Sequence, residues 1–122
     1  KGVVRGLHFQ KECPQGKLVR CIKGTIIDVA VDIRPNSPTF GKHVSAILSE
    51  DNKNQLWVPR GFAHGYASLG EENIVLYKCD DFYHPEDEGG IKWDDPALGI
   101  DWNVTNPIVS DKDQILPLLS EM

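Results

Sequence analysis

KLVRCIKGTIIDVAVDI, residues 17–33, reads as two β-strands, Lys17 to Ile22 and Thr25 to Ile33, joined by a turn at Lys23-Gly24. Side chains alternate across a strand, so each stretch sorts into two faces. In the first strand Lys17, Val19 and Cys21 share one face, while Leu18, Arg20 and Ile22 share the other. In the second, Ile27, Val29, Val31 and Ile33 form a wholly apolar face that belongs to a packed core. The opposite face, Ile26, Asp28, Ala30 and Asp32, carries two carboxylates among apolar neighbours. Carboxylates are rarely buried without partners. This face is therefore either solvated or the lining of a polar cavity that holds a cation such as Lys17.

Working outward, the same kind of unit recurs between turn residues. Upstream lies Val3 to Gln10, followed by the loop KECPQG. Downstream, the Pro-rich loop Arg34 to Gly41 leads to His43 to Leu48, then a polar turn, then Gln55 to Val58 and Pro59-Arg60-Gly61. Ala63 to Leu69 and Asn73 to Cys79 form a pair joined by Gly70-Glu71-Glu72. Beyond Tyr83 the pattern dissolves into HPEDEGGIKWDDP. The tail can begin a short helix at Ser110 or Asp111, limited by Pro117. About seven short strands at this spacing predict an all-β sandwich or barrel, with a barrel or jelly roll preferred and a short C-terminal helical segment.

The composition agrees with that class. The chain has 122 residues, with 11 Gly and 8 Pro, enough for one domain (1–122) and too broken for long helices. A formal net charge of −5 without a basic run argues against a nucleic-acid binder. No apolar stretch approaches the roughly 20 residues of a membrane-spanning helix. Cys13, Cys21 and Cys79 are odd in number and form no CxxC pair. They suggest neither zinc nor a disulfide framework, but small buried hydrophobes in a reducing cytoplasm. The chain opens on KGVVRGLHFQ without an initiator Met and is read as a piece of a longer protein.

Histidines are the first candidates for chemistry. His8 stands in RGLHFQ beside Arg5, and His64 stands in PRGFAHG between Gly61 and Gly65, which allow a tight turn. PRGFAH matches the PxGxxH element of cupin barrels. Metal-binding cupins also carry an HxH pair, whereas here Phe9 and Gln10 follow His8. A metal site normally needs three or more protein ligands, so no metal is expected. Tyr77 shares a face with Val75 and Asn73, as a core aromatic or as an acid–base group. Asp113 is either a helix-start residue or part of a site.

The long motifs RGLHFQ, QGKLVRCIKGTIIDVAVDIRPNSPTFG, QLWVPRGFAHGYASL, LYKCDDFYHPEDEGGIKWDDPALGIDW and VSDKDQILPLL, in this order, resemble the dTDP-4-dehydrorhamnose 3,5-epimerase family. The resemblance spans essentially the whole chain. It implies a metal-free cupin-type jelly roll, a homodimer without cofactor, and action on a dTDP-linked 4-keto-6-deoxy sugar. It also implies a family N-terminal segment that precedes these motifs. Carried onto matching positions, His8 is the general base, Asp113 its paired carboxylate, and Tyr77 the general acid on the opposite sugar face. Lys17, held by Asp28, is the cation near the keto oxygen. Arg5 is a phosphate or sugar contact, His64 a second polar group of the cavity, Tyr83 an aromatic near the base, and Lys112 a phosphate contact.

That chemistry suits these residue types. A C4 ketone acidifies the hydrogens on C3 and C5, since removing either gives an enolate. Inversion needs a base on one face and a donor on the other. An imidazole, with an ordinary pKa of about 6.5, is a base at neutral pH, and a phenol, at about 10, is a donor. Only protons move, so no redox cofactor is needed. The rivals are a single-site epimerase or ketoisomerase on a related sugar, a metal-dependent cupin oxygenase, and a non-catalytic sugar-binding module.

Overall fold

In the computed structural model, which describes residues 2–121, nine strands form two antiparallel sheets. They are β1 (Val3–Gln10), β2 (Lys17–Lys23), β3 (Thr25–Asp32), β4 (His43–Ser49), β5 (Gln55–Val58), β6 (Phe62–Ser68), β7 (Ile74–Cys79), β8 (Glu88–Gly90) and β9 (Ile108–Val109). The larger sheet runs β4-β3-β6-β1-β8, with β9 added in parallel beside β1; the smaller runs β5-β2-β7. This is a cupin-type jelly roll. A short helix, α1 (Asp111–Gln114), follows β9, with Ser110 as its N-cap.

Between the sheets, Val19, Cys21 and Val58 of the small sheet meet Ile26, Ala30 and Leu48 of the large one and close one end of the barrel. The other face of the large sheet is also covered. There Ile27, Val29, Val31, Ala63 and Ala67 pack against Ile91, Leu98 and Trp102 of the long segment after β8. β3 is thus buried on both faces, as expected of a central strand with so continuous an apolar run.

This settles the face of β3 that carries carboxylates. Asp28 and Asp32 are 0% and 1% exposed, so the face lies inside the barrel and is not solvated. The turn after β2 depends on Gly24, at φ +81, where a Cβ would stand 2.2 Å from the Glu72 carbonyl oxygen.

Three expectations are corrected. β8 and β9 hide in a stretch without alternation, because Gly89 and Gly90 give β8 almost no side-chain pattern. Asn73 precedes β7, and its side-chain oxygen accepts the Thr25 N–H in a turn. Of the cysteines, Cys21 is buried, but Cys13 is partly exposed and Cys79 is exposed at the open end of the barrel.

Candidate active site

The open end of the barrel holds a cavity of about 350 Å³. His8, Lys17, Tyr77, Tyr83 and Lys112 all line it, joined by Glu88. Strand register explains the gathering. Lys17 pairs with Cys79 and Val19 with Tyr77, so Lys17 and Tyr77 share the inner face of the small sheet. His8 comes from β1 of the large sheet, opposite His64 of β6. His8 and Tyr77 therefore enter the cavity from opposing walls.

His8 Nε2 lies 2.6 Å from Asp113 Oδ1, joining residues at opposite ends of the chain. The Asp113 side chain is nearly inaccessible, while that of His8 is 32% exposed. The second oxygen, Oδ2, accepts the Gly6 N–H at 3.1 Å, and Ser110 Oγ accepts the Asp113 N–H at 3.2 Å. A carboxylate only accepts, so Nε2 is the donor of this pair, and in a neutral imidazole held this way Nδ1 is the basic nitrogen. Gly6, at φ +128, is needed for this packing: a Cβ there would meet Gly65 Cα at 2.7 Å.

Across the cavity, Lys17 Nζ lies 5.7 Å from the centroid of the Tyr77 ring, within cation–π range. Burial pulls the Lys17 ammonium below its ordinary pKa, and the groups Cys79, Glu88 and Asp28 oppose that only in part. At the rim, Glu88 joins two residues. Oε2 accepts the Tyr83 hydroxyl at 2.6 Å and Oε1 accepts Lys112 Nζ at 2.5 Å. Burial by itself would raise the Glu88 pKa, but the bonds from Lys112 and Tyr83 outweigh it and lower it. Glu88 escaped the sequence reading because it sits in the acidic run HPEDEGG, which looks like solvated loop.

The remaining expected residues lie elsewhere. Asp28 does not hold Lys17. Its Oδ1 lies 2.6 Å from His64 Nε2, and its buried Oδ2 has no hydrogen-bond partner among the described residues. The reason is register: Ala30 and His64 are Cα partners across β3 and β6, which brings the imidazole beside Asp28. His64 is 6% exposed and lies outside the cavity lining. Arg5 is exposed and also outside the lining, opposite Tyr66 on β6. The Tyr66 hydroxyl is pushed above its ordinary pKa by burial, and the Arg5 charge opposes this.

An open-ended cavity with a carboxylate-paired imidazole on one wall, and a phenol and an ammonium on the other, brings together groups that can give and take protons. Among the described residues no group of three or more His, Cys, Asp or Glu is placed to hold a metal ion.

The family model for dTDP-4-dehydrorhamnose 3,5-epimerase matches residues 1–121. The chain belongs to the dTDP-4-dehydrorhamnose 3,5-epimerase family. A family member from Methanothermobacter thermautotrophicus is 55% identical over 117 residues, covering 93% of this chain and 63% of the relative. One from Shigella flexneri is 56% identical over 114 residues, with the same two shares of 93% and 63%. Among solved structures, the dTDP-6-deoxy-D-glucose-3,5-epimerase of Legionella pneumophila in complex with dTDP-4-keto-L-rhamnose superposes with a TM-score of 0.96. It is 51% identical, covering 98% of this chain and 64% of that one. A 3'-monoepimerase from Streptomyces bikiniensis in complex with dTDP-quinovose has a TM-score of 0.90 at 31% identity, covering 98% and 62%. This chain thus spans a little under two thirds of the length of the epimerase family members named first.

Proposed function

We propose that the protein epimerises C3 and C5 of dTDP-4-dehydro-6-deoxy-glucose to give dTDP-4-dehydro-L-rhamnose, an isomerase step of dTDP-L-rhamnose biosynthesis. His8 removes the proton α to the ketone, and Asp113 fixes its tautomer and stabilises the imidazolium. Lys17 stabilises the enolate oxygen, an interaction worth roughly 3–4 kcal/mol in a preorganised site. Tyr77 returns a proton from the other face. Tyr83, Glu88 and Lys112 at the rim take the nucleotide and diphosphate end. Arg5, His64 and Asp28 support the site from outside the lining; a shift of Arg5 towards the diphosphate belongs to this reading.

The observation that carries the proposal is the entry of His8 and Tyr77 into one cavity from opposing sheets. Two groups on one wall would return the proton where it came from. The 3,5-epimerase names of relatives at 55–56% identity favour double inversion over the single inversion of the 3'-monoepimerase, which is 31% identical.

Metal-independent turnover belongs to the same reading, as do a homodimer and a cytoplasmic location. The dimer is favoured by the outer face of the small sheet, where Ile22, Trp57, Ile74 and Leu76 are each about half exposed. The location is favoured by three cysteines that form no disulfide. No helix among the described residues is long and apolar enough to cross a membrane.

The test is solvent-deuterium exchange at C3 and C5 of the 4-keto-6-deoxy sugar nucleotide, followed by NMR. Exchange at both positions with inverted product supports the proposal. Exchange at one position alone identifies a single-site epimerase, and no exchange overturns catalysis of this kind.

A further inference from the structure

Gln10, the last residue of β1, is buried at 6% exposure, and its amide is bonded to three separate points of the chain. Nε2 donates to the carbonyl of Cys13 at 2.6 Å and to that of Phe82 at 3.3 Å. Oε1 accepts the His84 N–H at 2.7 Å. The bonds to Phe82 and His84 bracket Tyr83, and the bond to Cys13 holds the loop that brings Pro14 and Gln15 to the cavity.

Other bonds stitch the same two loops together. Asp87 accepts the N–H groups of Glu12 and Cys13, Gln15 Nε2 donates to the Asp81 carbonyl, and Asp80 accepts the Gly16 N–H. The Asp87 bonds tie loop to loop near the solvent. Gln10 ties both loops to β1, the strand that carries His8. It also sits opposite Glu88 across β1 and β8, so it adjoins the carboxylate that receives Tyr83 and Lys112.

We propose that Gln10 is a positioning residue of the active site: its buried amide fixes Tyr83, and through Glu88 also Lys112, for the nucleoside-diphosphate end of the substrate. The inference rests on the nucleotide-sugar reading above. An amide is required because it supplies donors to two carbonyls and an acceptor to one N–H. A glutamate of the same shape has no donor and turns negative charge on both carbonyls. A leucine leaves all three backbone groups unpaired, and buried unpaired groups are costly. Neither Tyr83 nor Lys112 moves the proton at carbon, so the loss should fall on binding.

The experiment measures dTDP affinity by calorimetry, together with KM and kcat for epimerisation, in wild type, Gln10→Leu, Gln10→Glu, Tyr83→Ala and the double variant Gln10→Leu/Tyr83→Ala. Gln10→Leu should weaken dTDP about tenfold and raise KM by the same factor, with kcat falling no more than about threefold. Added to Tyr83→Ala, it should weaken dTDP by clearly less than tenfold, because its main route to the ligand, through Tyr83, is gone. Unchanged affinity in folded Gln10→Leu, a loss confined to kcat, or full additivity with Tyr83→Ala would each overturn the inference. Gln10→Glu, which keeps volume and acceptor, makes the same comparison where the leucine variant does not fold. In wild type, dTDP should shift the Gln10 side-chain amide signals and slow exchange of the His84 N–H; unmoved signals would also overturn it. Failure of wild type to bind dTDP at all would instead sink the nucleotide-sugar reading.

Discussion

His8 and His64 face each other across β1 and β6, and each turns to a carboxylate of its own at 2.6 Å, Asp113 for His8 and Asp28 for His64. The pairs differ in access. The His8 side chain is 32% exposed and reaches the cavity, whereas that of His64 is 7% exposed and stays outside its lining. A base must touch its substrate, so the two dyads have different uses.

The first expectation concerns the accessible pair. His8→Asn should abolish deuterium exchange at both carbons, since His8 is the one histidine among the described residues lining the cavity. Asp113→Asn keeps the shape but loses the charge and the tautomer control, and should slow exchange by about 10²–10⁴-fold. NMR of the sugar nucleotide in deuterium oxide reads both. Undiminished exchange in folded His8→Asn would remove His8 from the role.

Tyr77→Phe should separate the two halves of the reaction. The opposing base and Lys17 remain, so proton abstraction and exchange continue. Delivery to the other face fails, so exchange should outlast inverted product. Tyr77 is half exposed, so loss of its hydroxyl should cost little stability. Wild-type rates for both exchange and inversion would make the ring a packing element only.

Lys17 links stability to pH. Its pKa in the folded protein lies below the ordinary lysine value of 10.5, chiefly through burial. Below the folded pKa both folded and unfolded states carry the proton, and the full cost of burying the ammonium is present. As pH rises through the folded pKa towards 10.5, only the unfolded state keeps the proton, and stability rises. Lys17→Met should therefore melt higher than wild type near pH 7, with the difference shrinking in alkali. Its turnover should fall by about 10²–10³-fold, as for a lost oxyanion donor. Melting curves at neutral and alkaline pH, set beside turnover, check both halves; a variant that melts lower near pH 7 would count against a destabilising ammonium.

Asp32 behaves in the opposite sense. It receives the N–H and guanidinium of Arg34 and the hydroxyls of Ser37 and Thr39. The Arg34 bond above all, with help from the hydroxyls, holds its carboxyl far below the usual range. The contribution to stability is complete above the ordinary Asp pKa of about 3.9 and is lost as pH falls below it. Arg34 also stacks 5.2 Å over Phe62, which lines the cavity. Asp32→Asn should cost about 2–3 kcal/mol near neutrality, less than the sum of its bonds because Arg34 is half exposed. The variant should also lose part of the stability difference between pH 6 and pH 3, as denaturant titrations at the two values would reveal; an unchanged difference would remove Asp32 as its source.

Activity should survive exhaustive treatment with a strong chelator. The donor set motivates this: Phe9 and Gln10 follow His8 where a metal-binding cupin has its second histidine. Elemental analysis should find no stoichiometric transition metal. Activity lost to the chelator and restored by one divalent ion would favour a metal-dependent isomerase.

Local patterns carried much of the fold by themselves. Alternation in residues 17–33 determined that Lys17, Val19 and Cys21 share a face, and that Ile27, Val29 and Val31 belong to a core, because neighbours on a strand must point oppositely. The cap at Ser110 followed from its own side chain, and the likeness of the long motifs to known epimerases was legible in their order. Partners were a different matter. Asp28 meets His64, 36 positions away, and not Lys17, because the register of β3 against β6 was absent from either strand read alone. Burial of the Asp28 face needed the small sheet to close over it, and Glu88 became a rim residue only when β8 paired with β1. Alternation is a property of adjacent residues, whereas a hydrogen-bond partner is chosen by the packing of strands far apart in the chain, and only the tertiary structure decides that.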